Sequence, residues 1–511
     1  MRRISLAAIA VSCLFAQRGV DWVVGGNDAH RSSWVRMDTK ISRESMQKPG
    51  FGLLWKMKMN GMAREMNSIL PPSLLEFYIS YRGFRSLAFV GNASGTVTGI
   101  DIDLARVDWE KSFAQPSGAS TVACPGGITS GVVRVVNSLN YPSPLSGSGI
   151  GRGTPAKSGV GLPDEGAVTL RPATGPRPAP PPAVKPRPGV RASEPINMFA
   201  PRIQYAYFLT GDGKFHFLYV SNGDEPNPAI DFLPPGAHAQ GLIVFEKVAY
   251  VTTVNGCGGV DNGLWALDLE TRKVSHWKTS GVGGNGGPAF GPDGTVYVAG
   301  TDELAALDLK TLAVKGSFKP SGLKFTSSPL VFEFKGKDLI AVTTNDGAMH
   351  VIDAADLSKP LASATAFGSS GGTVASWQDM SGGQWILAPS NKAVVAWKLV
   401  EKAGGVALEA GWTSRDMVTP VTPVIVNGVV FALASGEFRT SDAGMTAAQR
   451  AAKSSKAVLY SLDATTGKEL WNSGDAISTF VDSGRLAAGG GRIYVGGHDG
   501  TQYAFGIGIE H

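Results

Sequence analysis

Residues 286–308 read Gly286-Gly287-Pro288-Ala289-Phe290, then Pro292-Asp293-Gly294, then Thr295-Val296-Tyr297-Val298-Ala299-Gly300, and then Leu304-Ala305-Ala306-Leu307-Asp308. Short β-branched and aromatic runs separated by Gly, Pro and Asp describe short strands joined by tight turns. The order is an inner strand, a turn, a second strand, a turn, and a third strand that ends in Ala-Leu-Asp. The closing Asp returns at Asp101, Asp268, Asp353 and Asp463. Asp268 to Asp308 is 40 residues and Asp308 to Asp353 is 45; Tyr503-Ala504-Phe505 ends a last unit 42 residues after Asp463. Repeats of about 40–50 residues carrying four strands each are the mark of propeller blades.

The second half of the repeat is clearest at Asp463-Ala464-Thr465-Thr466-Gly467-Lys468-Glu469-Leu470-Trp471. Asp101 to Trp109 has the same spacing, and Asp268 to Trp277 is one residue longer. Gly467 permits a left-handed turn between third and fourth strands. The Trp on the fourth strand is then placed to pack on the neighbouring blade. Gly316 and Leu361 stand at that offset in other units, so the ring is irregular.

Composition agrees. The chain has 511 residues, of which 66 are Gly, and 17% are charged against about 25% in ordinary domains. Many turns and few charges point away from helical bundles, and 43% hydrophobic residues support a large core. The net charge is +5, and Arg171, Arg177, Lys185, Arg187 and Arg191 account for all of it within one acid-free stretch. A basic fold for nucleic acid is therefore not indicated. Residues 145–195 are rich in Gly, Ser and Pro, with Pro178, Pro180, Pro181, Pro182, Pro186 and Pro188 close together. This stretch reads as a disordered or polyproline-II insertion within the single domain 17–511.

The start, MRRISLAAIAVSCLFAQ, has two Arg residues followed by an apolar run of 12, Ile4 to Phe15, too short to span a bilayer. It reads as a signal peptide over 1–16, hence a periplasmic or secreted protein. The alternative is a lipoprotein acylated at Cys13. No other run is long enough to cross a membrane. Alternating strand directions put Cys124 and Cys257 on one face of adjacent blades, which permits a disulfide in an oxidising compartment.

These motifs resemble the quinoprotein-like family of pyrroloquinoline-quinone-type repeats. The resemblance covers roughly residues 20–507 outside the insertions. It includes the start, with Asp21-Trp22, Gly25-Gly26-Asn27-Asp28, Arg31-Ser32-Ser33-Trp34 and Leu53-Leu54-Trp55-Lys56. It implies an all-β propeller of eight four-stranded blades, centred on Asp101, Phe217, Asp268, Asp308, Asp353, Trp397, Asp463 and Phe505. Seven is the alternative count, because the unit around Phe217 is weak. The strand bearing Trp55 has no blade of its own, and the last blade lacks a fourth strand. Joining them closes the ring and removes two free edges.

Family enzymes use the quinone with calcium, an Asp base and often a vicinal Cys-Cys pair. This chain has no Cys-Cys and no Cys-x-x-Cys-His, and no calcium-ligand set aligns with it, so no catalytic or metal-binding residue is assigned. Candidate ligand contacts are His238 and Asp482 near inner-strand starts, Asp261-Asn262 before a strand, and Glu437 and Arg439 in a face insertion, 435–456. That insertion reads as a short helix, Ala443–Lys453, capped by Ser441-Asp442. Gly283-Gly284-Asn285-Gly286-Gly287 lacks the Lys and following helix of a phosphate loop. The expectation is a non-catalytic binding or scaffold module of the cell envelope, with a protein or envelope-polymer partner and no cofactor. The alternatives are a dehydrogenase using pyrroloquinoline quinone and calcium, and an outer-membrane assembly propeller.

Overall fold

Several second and third strands of the repeats are apolar at every position. Val296–Ala299, Leu304–Leu307 and Val429–Ala434 are buried along their whole lengths. Such runs suit sheets covered on both faces rather than one. The computed structural model describes residues 21–80, 82–115, 120–141, 204–365, 372–403, 405–442, 444–482 and 486–508. The expected signal peptide with Cys13, and the 145–195 insertion, lie outside the described residues.

Among the described residues the strands form eight antiparallel blades of a propeller. Blade 1 runs Ser73–Ser80, Gly83–Gly91, Thr96–Asp101 and Arg106–Ser112 from the axis outward. Blades 3 to 7 repeat this order, with third strands at Gly263–Asp268, Leu304–Leu307, Ala348–Asp353, Val394–Lys402 and Val458–Asp463. The unit around Phe217 is a blade, though a reduced one, so the count is eight and not seven. Its outermost strand is only Ile230–Asp231. Its inner strand, expected over Ile128–Val136, shrinks to Val133 opposite Tyr207, because Val135–Val136 turns to pair in parallel with blade 3.

Blade 8 takes its fourth strand from the far end of the chain. Phe51–Lys58 pairs with Thr501–Ile507, setting Leu53 opposite Phe505 and Trp55 opposite Ala504. The residues before that strand have a second task, which the sequence did not announce. Carbonyls of Trp22, Val23, Ala29, His30, Ser32 and Ser33 accept in turn from Leu74, Arg134, Phe290, Val331, Ser376 and Ile425, at 2.7–3.0 Å. These donors belong to blades 1, 2, 4, 5, 6 and 7. Blade 3 is reached by Arg31, whose guanidinium donates to the Gly241 carbonyl at 2.8 Å. The N-terminal segment is thus a hub inside the ring before it becomes the outer clasp.

The recurring Asp has a local cause. Asp268 Oδ1 accepts from the amides of Glu270 (3.0 Å) and Thr271 (2.8 Å). Asp308 and Asp463 hold the amides two and three residues on in the same way. Asp353 holds that of Ala355 and Asp101 that of Leu104. Each carboxylate closes the turn between third and fourth strands. These bonds hold Asp268 and Asp308 below the usual carboxylate range.

Fourth-strand Trp residues reach the next blade. Trp109 donates to the Val220 carbonyl at 3.0 Å. Trp277 lies against Gly300, and Trp471 meets Phe51 and Phe505 at ring separations of 4.9 and 5.8 Å. Blade 6 has the same device at Trp412, which donates to the Ala464 carbonyl at 2.9 Å. The sequence reading centred that blade on Trp397, a third-strand core residue, and overlooked Trp412. Gly467 has φ +70°, and a Cβ there would lie 2.5 Å from the Trp412 ring, so both backbone and neighbour require glycine.

The helix in the 435–456 insertion begins later than expected, at Ala447–Lys453. Thr446 and Gln449 cap it reciprocally, a Thr-x-x-Gln box that outcompetes Ser441-Asp442.

Replacing Trp109 or Trp412 by Ala is expected to cost about 3–5 kcal/mol each. Denaturant unfolding would show a lower midpoint at constant slope. A second expectation concerns Glu76, on the inner strand of blade 1 at its joint with blade 8. Burial, then the charges of Asp21 and Asp38, push its carboxyl up to about 7, with Arg492 opposing. The folded state therefore keeps a proton that the unfolded chain has lost, and stability falls as pH rises from about 4.5 to about 7. Glu76→Gln should flatten that slope in thermal melts and raise stability at pH 8 by at most about 3 kcal/mol.

Candidate functional site

Turns after second strands and links into the next inner strand share one face of the ring. On that face lies a cavity of about 400 Å³. Its walls come from Ile69–Ser73 of blade 1, Thr129–Val133 of blade 2, His238 and Gln240 of blade 3, Asn285, Glu437–Thr440 with Arg450, and Asp482 before blade 8. Trp22, Val24 and Gly25 of the hub complete it.

On the same face, the segments that lead into the inner strands of blades 5 and 6 meet each other. Ser327–Ser328 pairs in parallel with Gly372–Thr373 there. Gly284 packs so tightly that a Cβ would lie 2.1 Å from the Gly372 carbonyl oxygen and 2.2 Å from the Ser328 nitrogen. The glycine run at 283–287 is thus a close-approach surface between blades, consistent with its lack of a phosphate-loop sequence.

Four of the six candidate contacts line this cavity: His238, Glu437, Arg439 and Asp482. Asp261 and Asn262 do not. Asp261 pairs with Lys278 at 2.8 Å, while Asn262 accepts from the Gly256 amide and donates to the Ser280 carbonyl. Both are engaged in closing their own hairpin and the loop beside it.

The charges that reach the cavity are met by partners. Glu437 and Arg439 lie 2.7 Å apart. Asp482 contacts His498 Nδ1 at 2.7 Å. Burial raises the proton affinity of Asp482, an effect that His498 opposes and Glu437 adds to. Arg450 donates to the carbonyls of Thr440 (3.1 Å), Asp442 (2.7 Å) and Met445 (3.4 Å). Sequence reasoning passed over His498 and Arg450. His498 sits beside a common Asp-Gly turn, and Arg450 lies within the helix of the insertion. Neither shows a distinguishing spacing.

His238 braces the wall. Burial lowers its proton affinity, and its Nδ1 donates to the Ala123 carbonyl at 2.9 Å. Asn255 donates to the same carbonyl at 2.8 Å. One residue on, Cys124 is bonded to Cys257 with a Cα separation of 5.6 Å, across 133 residues of sequence. The stretch 120–131, which supplies one side of the cavity, is thereby fastened to blade 3. Among the described residues no three His, Cys, Asp or Glu side chains converge as a metal-binding group. None of the described helices is long and apolar enough to cross a membrane.

Non-reducing peptide mapping is expected to recover Cys124 linked to Cys257; two freely alkylatable thiols in the native protein would contradict the bond. Cys257→Ser should lower stability by about 2–4 kcal/mol, measured by calorimetry with and without reductant.

No protein-family model matches the sequence, and no curated protein does. Solved structures resemble it in fold. The quinohemoprotein alcohol dehydrogenase from Comamonas testosteroni aligns with TM-score 0.58 and 14% identity, over 97% of this chain and 82% of that one. The quinohemoprotein alcohol dehydrogenase ADHIIG from Pseudomonas putida HK5 gives 0.57 and 11%, over 97% and 81%. A europium-containing methanol dehydrogenase gives 0.55 and 12%, over 96% and 89%. With eight radial blades, a hub and an N-terminal clasp already in place, this likeness makes the chain an eight-bladed β-propeller of the quinoprotein-like fold.

Proposed function

We propose that the chain is a non-catalytic binding module of the cell envelope, presenting the cavity on its disulfide face to a ligand. The observation that carries this reading is the closure of the cavity's charges on one another. Glu437 with Arg439, Asp482 with His498, and Arg450 with three carbonyls form internal contacts. A catalytic site holds perturbed groups toward the reacting atoms. Here Glu437 faces Arg439 and Asp482 faces a histidine instead.

The dehydrogenases of similar fold suggest pyrroloquinoline quinone as a test case. That cofactor carries three carboxylates and needs cations for them, oxygen ligands for its metal ion and a flat surface beneath its rings. Both guanidinium groups of the lining are engaged, Arg439 with a carboxylate and Arg450 with main-chain carbonyls. No carboxylate group with metal-binding convergence lies among the described residues. These side chains do not fit the quinone with calcium, and no reaction step is derived through it. The leader-like residues 1–16 and the disulfide support an oxidising, exported location.

Dye-linked oxidation of methanol, ethanol and glucose, with pyrroloquinoline quinone and calcium added, is expected to stay at the protein-free rate. Turnover that chelation abolishes would overturn the reading.

A further inference from the structure

Large apolar side chains are unevenly spread over the surface. Eleven are exposed among the described residues, and five of them belong to blade 1: Phe84 (77%), Leu104 (60%), Ile79 (52%), Phe77 (49%) and Val107 (46%). All five lie toward the face opposite the cavity, where the turns after first and third strands gather. Blade 1 is also built differently there. In blades 3 and 7 the second strand starts opposite the last residue of the third, Val248 with Asp268 and Val429 with Asp463. In blade 1 the third-strand residue Asp101 already stands opposite Leu87, while the first two strands pair on through Tyr78–Arg85, Ile79–Phe84 and Ser80–Gly83. This two-stranded ribbon overshoots its third strand by about 10 Å, at about 3.3 Å per residue.

The ribbon is braced on one side and bare on the other. Tyr78 and Arg85 share one side, and Ile79 and Phe84, paired one step on, share the other. Arg85 is buried, 2.6 Å from Asp108 and 3.3 Å from the Ser80 hydroxyl, with its guanidinium 5.8 Å from the centre of the Tyr78 ring. Phe77 sits at the bulge between Leu75 and Tyr78 with φ +55°, a left-handed backbone that bulky residues rarely adopt. Strained, exposed apolar residues on a fixed frame mark an interaction surface. Its charges select the partner. Arg82 and Arg85 share the one carboxylate of Asp108, and Arg106 lies 3.9 Å from Asp101. Both acids are buried while Arg82 and Arg106 are exposed. The exposed acid nearby, Asp103, is engaged by Arg492 and the Ser86 amide. An apolar ridge flanked by outward guanidinium groups matches the layering of a lipid surface, acyl chains inside and phosphates outside.

We propose that the blade 1 ribbon anchors the protein on an anionic bilayer, with Phe84, Ile79 and Leu104 entering the interfacial layer and Arg82 and Arg106 meeting lipid phosphates. Removing one exposed Phe-sized side chain from water shifts a partition equilibrium by about tenfold or more. A few such residues with two cations give reversible surface binding, not a membrane span. The cavity, on the other face, then opens away from the bilayer. The anchor shares no residue with the contacts that carry the cavity reading, so the two stand or fall separately.

The test is flotation of the exported chain with phosphatidylcholine vesicles, with and without phosphatidylglycerol. Binding to the anionic vesicles is expected, and it should persist at about 0.5 M salt, where attraction by the basic stretch 171–191 is screened. At that salt Phe84→Ser should weaken it by about tenfold or more and Ile79→Ser by roughly fivefold. Arg106→Gln should weaken it by roughly threefold at low salt only. Met62→Ser, at an 80% exposed position on the cavity face, should leave it unchanged. Unchanged thermal melts would show that each variant is folded. Failure to float with anionic vesicles, or binding that Phe84→Ser leaves intact or Met62→Ser abolishes, would overturn the proposal. So would a vesicle-free dimer, seen by sedimentation and split by Phe84→Ser, which would assign the ridge to a second copy of the chain.

Discussion

Six main-chain carbonyls within Trp22–Ser33 accept from the inner strands of six blades, and Arg31 adds a seventh. An inner strand at the axis of a propeller has one edge with no sheet partner, and buried amides there must be satisfied. In this chain the N-terminal segment supplies many of those partners. The same stretch then leaves the axis, pairs Trp34–Val35 with blade 7, and becomes the outer strand of blade 8. Inner edge and outer edge are closed by one continuous piece of backbone. The positions of the cavity walls follow from this, since Trp22, Val24 and Gly25 are both hub and lining.

The blades were legible because each repeat must solve the same local problem. Asp308 and Asp463 hold their own turns, and Trp109 and Trp471 dock on the next sheet, so selection for packing leaves a periodic trace. The clasp was legible for a related reason: a strand bearing Trp55 with no blade, and a last blade with no fourth strand, are complementary defects. What escaped was non-periodic. Trp412 was hidden because the Asp that should precede it is missing from blade 6. The hub was hidden because its interactions are main-chain carbonyls, which any side chain can accompany.

The site was only partly legible for the same cause. His238, Glu437, Arg439 and Asp482 share one cavity because topology puts inner-strand starts and the 435–456 insertion on one face. Asp261 and Asn262 belong to a hairpin whose closure engages their polar atoms.

The hub also sets an order of events. Ser33 meets Ile425, and Phe51 meets Ile507, so residues synthesised early wait for some of the last. Neither contact can form on a nascent chain, and loop closure across some hundreds of residues is slow. Individual blades are free to collapse as they emerge, yet the ring cannot lock until translation is nearly finished. A chain built this way stays unlocked and threadable for most of its synthesis, and one truncated at either end loses the same seam.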